Sequence, residues 1–351
     1  MKIRVGILTA PHIEWEKTLD GFVLHHVRIG IGFHWDREED QTFQGELEIL
    51  HHADGTETAV NIIDIEDYLC SVISSEMSTH APMELLKAHA VISRSWAIRA
   101  MAANQSTPQT SSCTYESNGH IGFDVCADDH CQRYEGTKRM NHRAVEAVRA
   151  TAGQVLMYGD EICDCRFHKC CGGKTEVFET CWEDTPKPYL QSVDCPYCGT
   201  VALESQRQAL NDYDLETRDF HDWTVTYTRD ELDRLVREKT GIDFGEIVDL
   251  VPLRRGKSGR IYELEIIGTR HRQVISKELK IRRALSPTCL YSSWFDITSD
   301  NNYWTFRGHG WGHGVGLCQI GATQMAVMGK EYEEILHFYY QNSQLKTIEY
   351  D

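Results

Sequence analysis

The spacing of apolar residues divides the chain into stretches of different period. From Lys2 to about Ile63 apolar and polar positions alternate, as in Arg4 to Leu8 and in Glu46-Leu47-Glu48-Ile49-Leu50 ahead of the Asp54-Gly55 turn. A period of two predicts an antiparallel β module. At Tyr68, Leu69, Val72, Ile73 and Met77 the period becomes helical, and a break at Ser78-Thr79-His80-Ala81-Pro82 precedes a second helical run through Met101. Pro82 suits the first turn of that helix, where a missing donor costs nothing. Ala88, Ala90, Ala97 and Ala100 give it small faces for close packing, which predicts a central, buried helix.

Residues 103–140 are polar and carry Cys and His, so they predict an irregular loop held by a metal rather than by apolar burial. A helix from His142 to Ala150 ends near Gly153. Further on, a helix near Asp230 to Thr240 precedes strands at Ile247 to Leu253, Ile261 to Ile267 and Gln273 to Ser276, whose glycine punctuation fits hairpins. The chain closes with a Gly/His-rich loop and helices near Gln319 to Met328 and Tyr332 to Tyr340. The sum is an α+β protein with a helical core, β-rich flanking modules and an inserted α/β segment. The expected units are residues 1–63, 64–202, 203–290 and 291–351, the last completing a groove.

Length, at 351 residues, allows two domains, and 41% apolar with 25% charged residues is ordinary globular usage. The net charge of −17 changes the list of partners, because counterion release from a nucleic-acid backbone needs a basic surface. Nucleic acid is therefore not an expected partner, and anionic lipid is a poor one. No apolar run is long enough to form a transmembrane segment, and the opening MKIRVGILTAPHIEWEKTLDGF lacks the apolar core of a signal peptide. Thirteen cysteines, an odd number with nine between Cys126 and Cys198, suggest metal binding before a disulfide framework.

Four groups of residues carry candidate chemistry. Glu76 sits at the end of one helix and just before the turn into the next. Unsatisfied carbonyls there disfavour its charge, and moving a glutamate from about 4.3 to about 6 takes roughly 2 kcal/mol, which brings a protonated acid within reach near neutral pH. A solvated helix-end residue is the plain alternative. In GHGWGHGVGLCQIGA, from Gly308 to Ala322, glycines let backbone approach a ligand, while His309, Trp311 and His313 offer hydrogen bonding and a flat face suited to a sugar ring. A glycine-rich turn with packed histidines explains the same string. His120, Cys126, His130 and Cys131 supply two imidazoles and two thiols, a donor set that matches tetrahedral zinc, with reduced structural cysteines as the alternative. Cys163, Cys165, Cys170, Cys171, Cys181, Cys195 and Cys198 include one C-x-x-C, Cys195 to Cys198, and without a partner C-x-x-C they fit a second zinc site, a disulfide pair or buried thiols equally well.

Three separated strings share one pattern. Glu76-Met77 with Lys87-Ala88-His89-Ala90-Val91 and Arg94-Ser95-Trp96-Ala97 resembles the helix pair of the stage II sporulation protein D family, with His89 for the usual glutamine and Trp96 for the usual tyrosine. Cys171-Gly172-Gly173-Lys174-Thr175-Glu176, Trp182 and Pro188-Tyr189-Leu190 are similar to the family's S-G-G-x-T-E, W and P-Y-L signals, and Gly308 to Ala322 is similar to its glycine and histidine signature. The resemblance spans about Asp64 to Tyr340. It implies a lytic transglycosylase of the cell envelope or periplasm acting on peptidoglycan glycan strands, with Glu76 as catalytic acid. It also implies zinc, structural or lining the groove, held by His120, Cys126, His130 and Cys131, and places Arg94 and Gln319 near the groove beside His309, Trp311 and His313. A non-catalytic glycan-binding or amidase-enhancer protein and a zinc-dependent cell-wall hydrolase are the alternatives.

Overall fold

The computed structural model describes residues 1–31, 36–106, 120–128, 130–199, 210 and 221–350. The first module is β1 (Lys2–Ala10), β2 (Trp15–Lys17), β3 (Gly21–Ile29), β4 (Arg37–Gln44), β5 (Glu46–His51) and β6 (Glu57–Asp64). These strands form two antiparallel sheets, β2-β3-β4 and β5-β6-β1. Their buried positions follow the period of two: Ile3 and Val5 on β1, Phe22 and Leu24 on β3.

The Asp64 side chain accepts a hydrogen bond from Glu66 N–H at 2.9 Å and so starts α1 (Ile65–Glu76) directly from β6. Pro82 then leads into α2 (Met83–Ser106), whose Leu85, Leu86, Ala88, Ala90, Val91, Ile92 and Ala97 have no exposed surface. A helix buried on every side from Ala88 to Ser95 has to be surrounded, and this one packs against α1, α3 (His142–Ala150) and later elements. The two-residue strand β7 (Val125–Cys126) adds to β1 in parallel. After α3 come β8 (Gln154–Tyr158), β9 (Glu161–Ile162) and β10 (Phe167–His168). Side chains of the N-terminal strands and of these helices belong to one continuous core, so no core boundary falls at residue 63.

A second, smaller core is built from β11 (Asp222–Thr228), α4 (Arg229–Thr240), β12 (Ile247–Arg255), β13 (Ile261–Gly268), β14 (Arg272–Ser276), α5 (Glu278–Ala284), β15 (Phe295–Ser299) and β16 (Tyr303–His309). Thr228 and Glu231 form a capping box at the start of α4, and Gly241 closes it at φ 73°. This unit continues past the expected boundary at residue 290. Strand β16 pairs with both β11 and β15, which draws Phe295, Trp304 and Phe306 into the second core. The chain returns to the first core through β17 (Leu317–Cys318), α6 (Gln319–Val327), α7 (Tyr332–Tyr339) and β18 (Gln344–Thr347). Helices and strands in several small sheets make a mixed α+β fold. Among the described residues no helix is long and apolar enough to cross a membrane.

Candidate active site and metal centres

Glu76 is the last residue of α1 and is only 8% exposed. The helix stops there because Met77 turns to extended backbone, φ −122° and ψ 145°, while its N–H still bonds Ile73 carbonyl. One carboxylate oxygen accepts the backbone N–H of Arg133 at 3.1 Å. That donor lies two residues after Cys131, so the loop carrying the Cys/His group also positions the acid.

The loop is anchored from both sides. Strand β7 pairs Val125 and Cys126 with Val5 and Gly6, and Ala127 N–H continues the ladder to Gly6 carbonyl at 2.9 Å. On its far side Gln132 reaches the Ser93 carbonyl of α2 at 3.3 Å. Between these anchors four donors converge, all within 4.8 Å of one another. Cys131 Sγ lies 3.7 Å from His120 Nε2 and 3.5 Å from His130 Nδ1, and Cys126 Sγ lies 3.7 Å from His130 Nδ1. Zinc with sulfur at about 2.3 Å and nitrogen at about 2.0 Å puts adjacent sulfur and nitrogen corners of a tetrahedron about 3.5 Å apart. The donor set therefore fits the ion. His120 Nδ1 faces Asp124 carbonyl at 3.3 Å, the partner that leaves Nε2 for a metal. The two thiols differ: a hydrogen bond from Cys131 draws the Cys126 pKa down, while burial raises that of Cys131.

The glycine and histidine signature folds onto the Cys171-to-Glu176 string. Cys170 and Trp311 exchange backbone hydrogen bonds at 3.0 and 2.8 Å, and Glu176 N–H bonds Gly314 carbonyl at 2.7 Å. Gly316, at φ 72°, runs so close to Arg166 that a Cβ would sit 2.0 Å from its carbonyl oxygen. Two strings far apart in sequence thus make one interlocked turn.

Its side chains face different surroundings. His309 is the exposed one and bonds Asp222 at 2.5 Å; Asp222 also holds His221 at 2.6 Å. His313 accepts Val315 N–H at its Nδ1, 3.0 Å away, and burial beside His168 and Arg166 pushes its pKa well down, so it is neutral. Trp311 is mostly covered and meets Tyr291 edge-on at 5.6 Å. Arg94 and Gln319 lie in the interior. The Arg94 guanidinium clamps Glu66 at 2.8 and 2.6 Å and also bonds the carbonyls of Val148 and Gln154. It holds α1, α3 and β8 together, leaving little of its donor set for a surface ligand. Gln319 donates to His89 Nε2 at 3.0 Å and ties α6 to α2.

Three features make contacts that the sequence reading did not foresee. Arg166 stacks over Trp182 at 4.3 Å and lies 5.9 Å from both Trp96 and Phe178. Arg166, Trp96, Trp182 and His313 are all half-buried, and the Arg166 charge acts on both Cys131 and His313. These residues form a cationic, aromatic cluster that meets the signature loop at His313, 4.9 Å from Trp182, and whose charge is felt at Cys131. Asp222 is the second, and no motif marks it. The third is Glu176, fully buried, whose Oε1 accepts Val177 and Lys257 N–H at 2.8 Å each and whose Oε2 accepts Ser258 N–H and Oγ at 3.1 and 2.6 Å. It joins the second core to the signature turn.

Among the described residues metal-type donors converge at a second place, Cys171, Cys195, Cys198 and Cys318, all buried, a cluster that could hold a metal ion. Neither group includes His309 or His313. All described cysteines are free thiols, and Cys113 lies outside the described residues.

Residues 53–158, which contain Glu76 and the His120 to Cys131 loop, match the family described as Stage II sporulation protein, and residues 176–316 match a domain of unknown function. An uncharacterized protein of Brachyspira hyodysenteriae is 31% identical over 324 residues, 92% of this chain and 74% of that one. The Stage II sporulation protein D of Bacillus subtilis is 26% identical over 292 residues, 83% of this chain and 77% of that protein. The Amidase enhancer of Bacillus subtilis is 26% identical over 310 residues, 80% of this chain and 40% of its own length.

Proposed function

The chain belongs to the stage II sporulation protein D family, whose membership supports a cell-wall-related role, and from that premise we propose that it is a lytic transglycosylase of peptidoglycan glycan strands. The observation that carries the reading is Glu76: a carboxyl group almost removed from water, one oxygen fixed by Arg133 N–H, on the loop whose Cys131 feels the charge of Arg166, itself stacked among the half-buried Trp96 and Trp182. Indole faces suit the apolar faces of sugar rings, and a buried carboxyl is suited to carrying a proton.

In the proposed reaction protonated Glu76 gives its proton to the oxygen bridging two sugars as the bond from that oxygen to C1 breaks. The resulting carboxylate then takes the proton of the muramyl 6-hydroxyl while that oxygen bonds C1. The product is a 1,6-anhydromuramyl end, no water is consumed, and Glu76 finishes protonated. One carboxyl suffices because the nucleophile belongs to the substrate, whereas hydrolysis uses a second carboxylate to activate water or attack the sugar. Zinc bound by His120, Cys126, His130 and Cys131 would supply a cross-link, since a closed set of four protein ligands leaves no position for substrate. Fixing Cys131 in turn fixes the Arg133 donor on Glu76.

The test is incubation with glycan strands stripped of stem peptides, with products read by mass spectrometry. Anhydromuramyl ends that vanish in a folded Glu76→Gln protein are the expected result. Reducing ends would indicate hydrolysis and remove this mechanism. Binding without turnover would favour the second reading, a non-catalytic glycan binder, for which the similarity to an amidase enhancer speaks.

A further inference from the structure

We infer that Cys171, Cys195, Cys198 and Cys318 form a second, purely structural zinc site that pins the signature turn to the helical core. This inference does not depend on the glycan reading. The four sulfurs lie within 4.8 Å of one another, and Cys171 and Cys198 approach to 3.3 Å. Zinc with four thiolates at about 2.3 Å spaces them about 3.8 Å apart, so a single ion matches the spread. A four-iron cluster holds each thiolate outside its own iron and therefore keeps the sulfurs farther apart than this. Cys195 and Cys198 supply the C-x-x-C knuckle that sequence alone left without a partner pair. The partners come singly, from the turn after β10 and from the start of α6.

The surroundings suit a site of net negative charge. Cys171 and Gly321 N–H groups point at Cys318 Sγ from 3.2 and 3.3 Å, and Cys318 caps the N-terminus of α6, where the helix dipole favours a thiolate. Tyr339 Oη lies 3.3 Å from Cys195 Sγ. Arg260, fully buried, directs both Nη atoms at Cys171 carbonyl, each at 3.3 Å, and its remaining hydrogen bonds go to Gly312 carbonyl and Ser258 Oγ. Arg260 already reaches the Glu176 carboxylate through Ser258 Oγ, and a tetrathiolate one peptide away on its other side would add to the negative charge that a buried guanidinium requires.

The site has a mechanical consequence. Cys171 lies at the base of the string that pairs with Trp311 and Gly314, while Cys318 precedes Gln319, which bonds His89 of α2. One ion would close a loop between residues 147 positions apart and hold the signature turn in register with the core.

The experiment uses the whole protein, produced and kept under reducing conditions. Elemental analysis is expected to find two zinc ions per chain, one remaining in a Cys126→Ser/Cys131→Ser protein and one in a Cys195→Ser/Cys198→Ser protein. Cys170→Ser, which alters a neighbouring thiol outside the four convergent donors, should keep both. Should the Cys195/Cys198 variant fail to fold, cobalt loaded into the Cys126/Cys131 variant provides the second measurement. Four thiolates give thiolate-to-cobalt absorption about twice as intense as two. Loss of all metal from the Cys126/Cys131 variant would overturn the inference, as would equal alkylation of Cys195 and Cys198 with and without zinc, or a disulfide joining any two of the four in zinc-loaded protein.

Discussion

Glu176→Gln tests whether the second core is fastened to the signature turn by a single buried carboxylate. The wild-type group receives four hydrogen bonds, from Val177 N–H, Lys257 N–H, Ser258 N–H and Ser258 Oγ. A glutamine side chain keeps one acceptor oxygen. Its amide nitrogen is accommodated best at the Oε2 position, where the Ser258 hydroxyl can turn and accept, but Ser258 N–H then faces another donor. One buried unpaired N–H costs about 1–3 kcal/mol, and the surviving bonds lose their charge assistance, so the sum is about 2–4 kcal/mol. With an unfolding entropy of about 2.1 cal/mol/K per residue, 351 residues unfolding as one unit give about 0.7 kcal/mol/K, and the melting temperature falls by about 3–5 °C. A fall larger than this, with early protease nicking near residues 255–260, is expected where the second core melts by itself. Differential scanning calorimetry and limited proteolysis measure both effects. Gly256→Ala checks the same joint from the other side, because a Cβ there would lie 2.4 Å from a Glu176 oxygen. An unchanged melting temperature in both variants would refute the claim that this carboxylate couples the two cores.

Glu76→Gln is expected to lower the rate of glycan cleavage by about 10²- to 10⁴-fold with the fold intact, read by product mass spectrometry and circular dichroism. His89 and His168 are buried, which lowers each pKa to about 3 from an unfolded value of 6.5. Between those values the unfolded chain binds more protons, so their contribution is complete above pH 6.5 and is lost as pH falls toward 3. His89→Gln, whose carbonyl can still accept from Gln319, is expected to make the fall in melting temperature below pH 6.5 shallower; an identical slope would remove His89 from the acid response. Loss of the zinc proposed for the His120 to Cys131 loop, through Cys126→Ser/Cys131→Ser so that the four-cysteine group stays intact, is expected to lower activity more steeply than overall helicity, measured by product mass spectrometry and circular dichroism, because the loop carries the Arg133 donor to Glu76. Trp182→Ala, which strips the Arg166 stack, is expected to raise the KM for glycan strands more than it lowers kcat, measured by steady-state kinetics.

Local patterns carried much of this protein. The periods of two and of 3.6, the proline at the first turn of α2 and the C-x-x-C spacing depend on residues a few positions apart, so the strands, the helix pair and the metal-type donors could be read along the chain. The helices expected at 142–150, 230–240, 319–328 and 332–340 stand within a residue or so of those positions for that reason. Tertiary structure decided everything that depends on distant residues meeting. No spacing rule connects Cys318 with Cys171, Glu176 with Ser258, or Asp222 with His309. Nor does the sequence reveal that Arg94, which opens a family string, spends its charge on Glu66 while Arg166, outside every motif, lies over the tryptophans. Hydrophobic period reports which face of an element turns inward, whereas a site forms where several elements arrive together, and only packing sets that arrival.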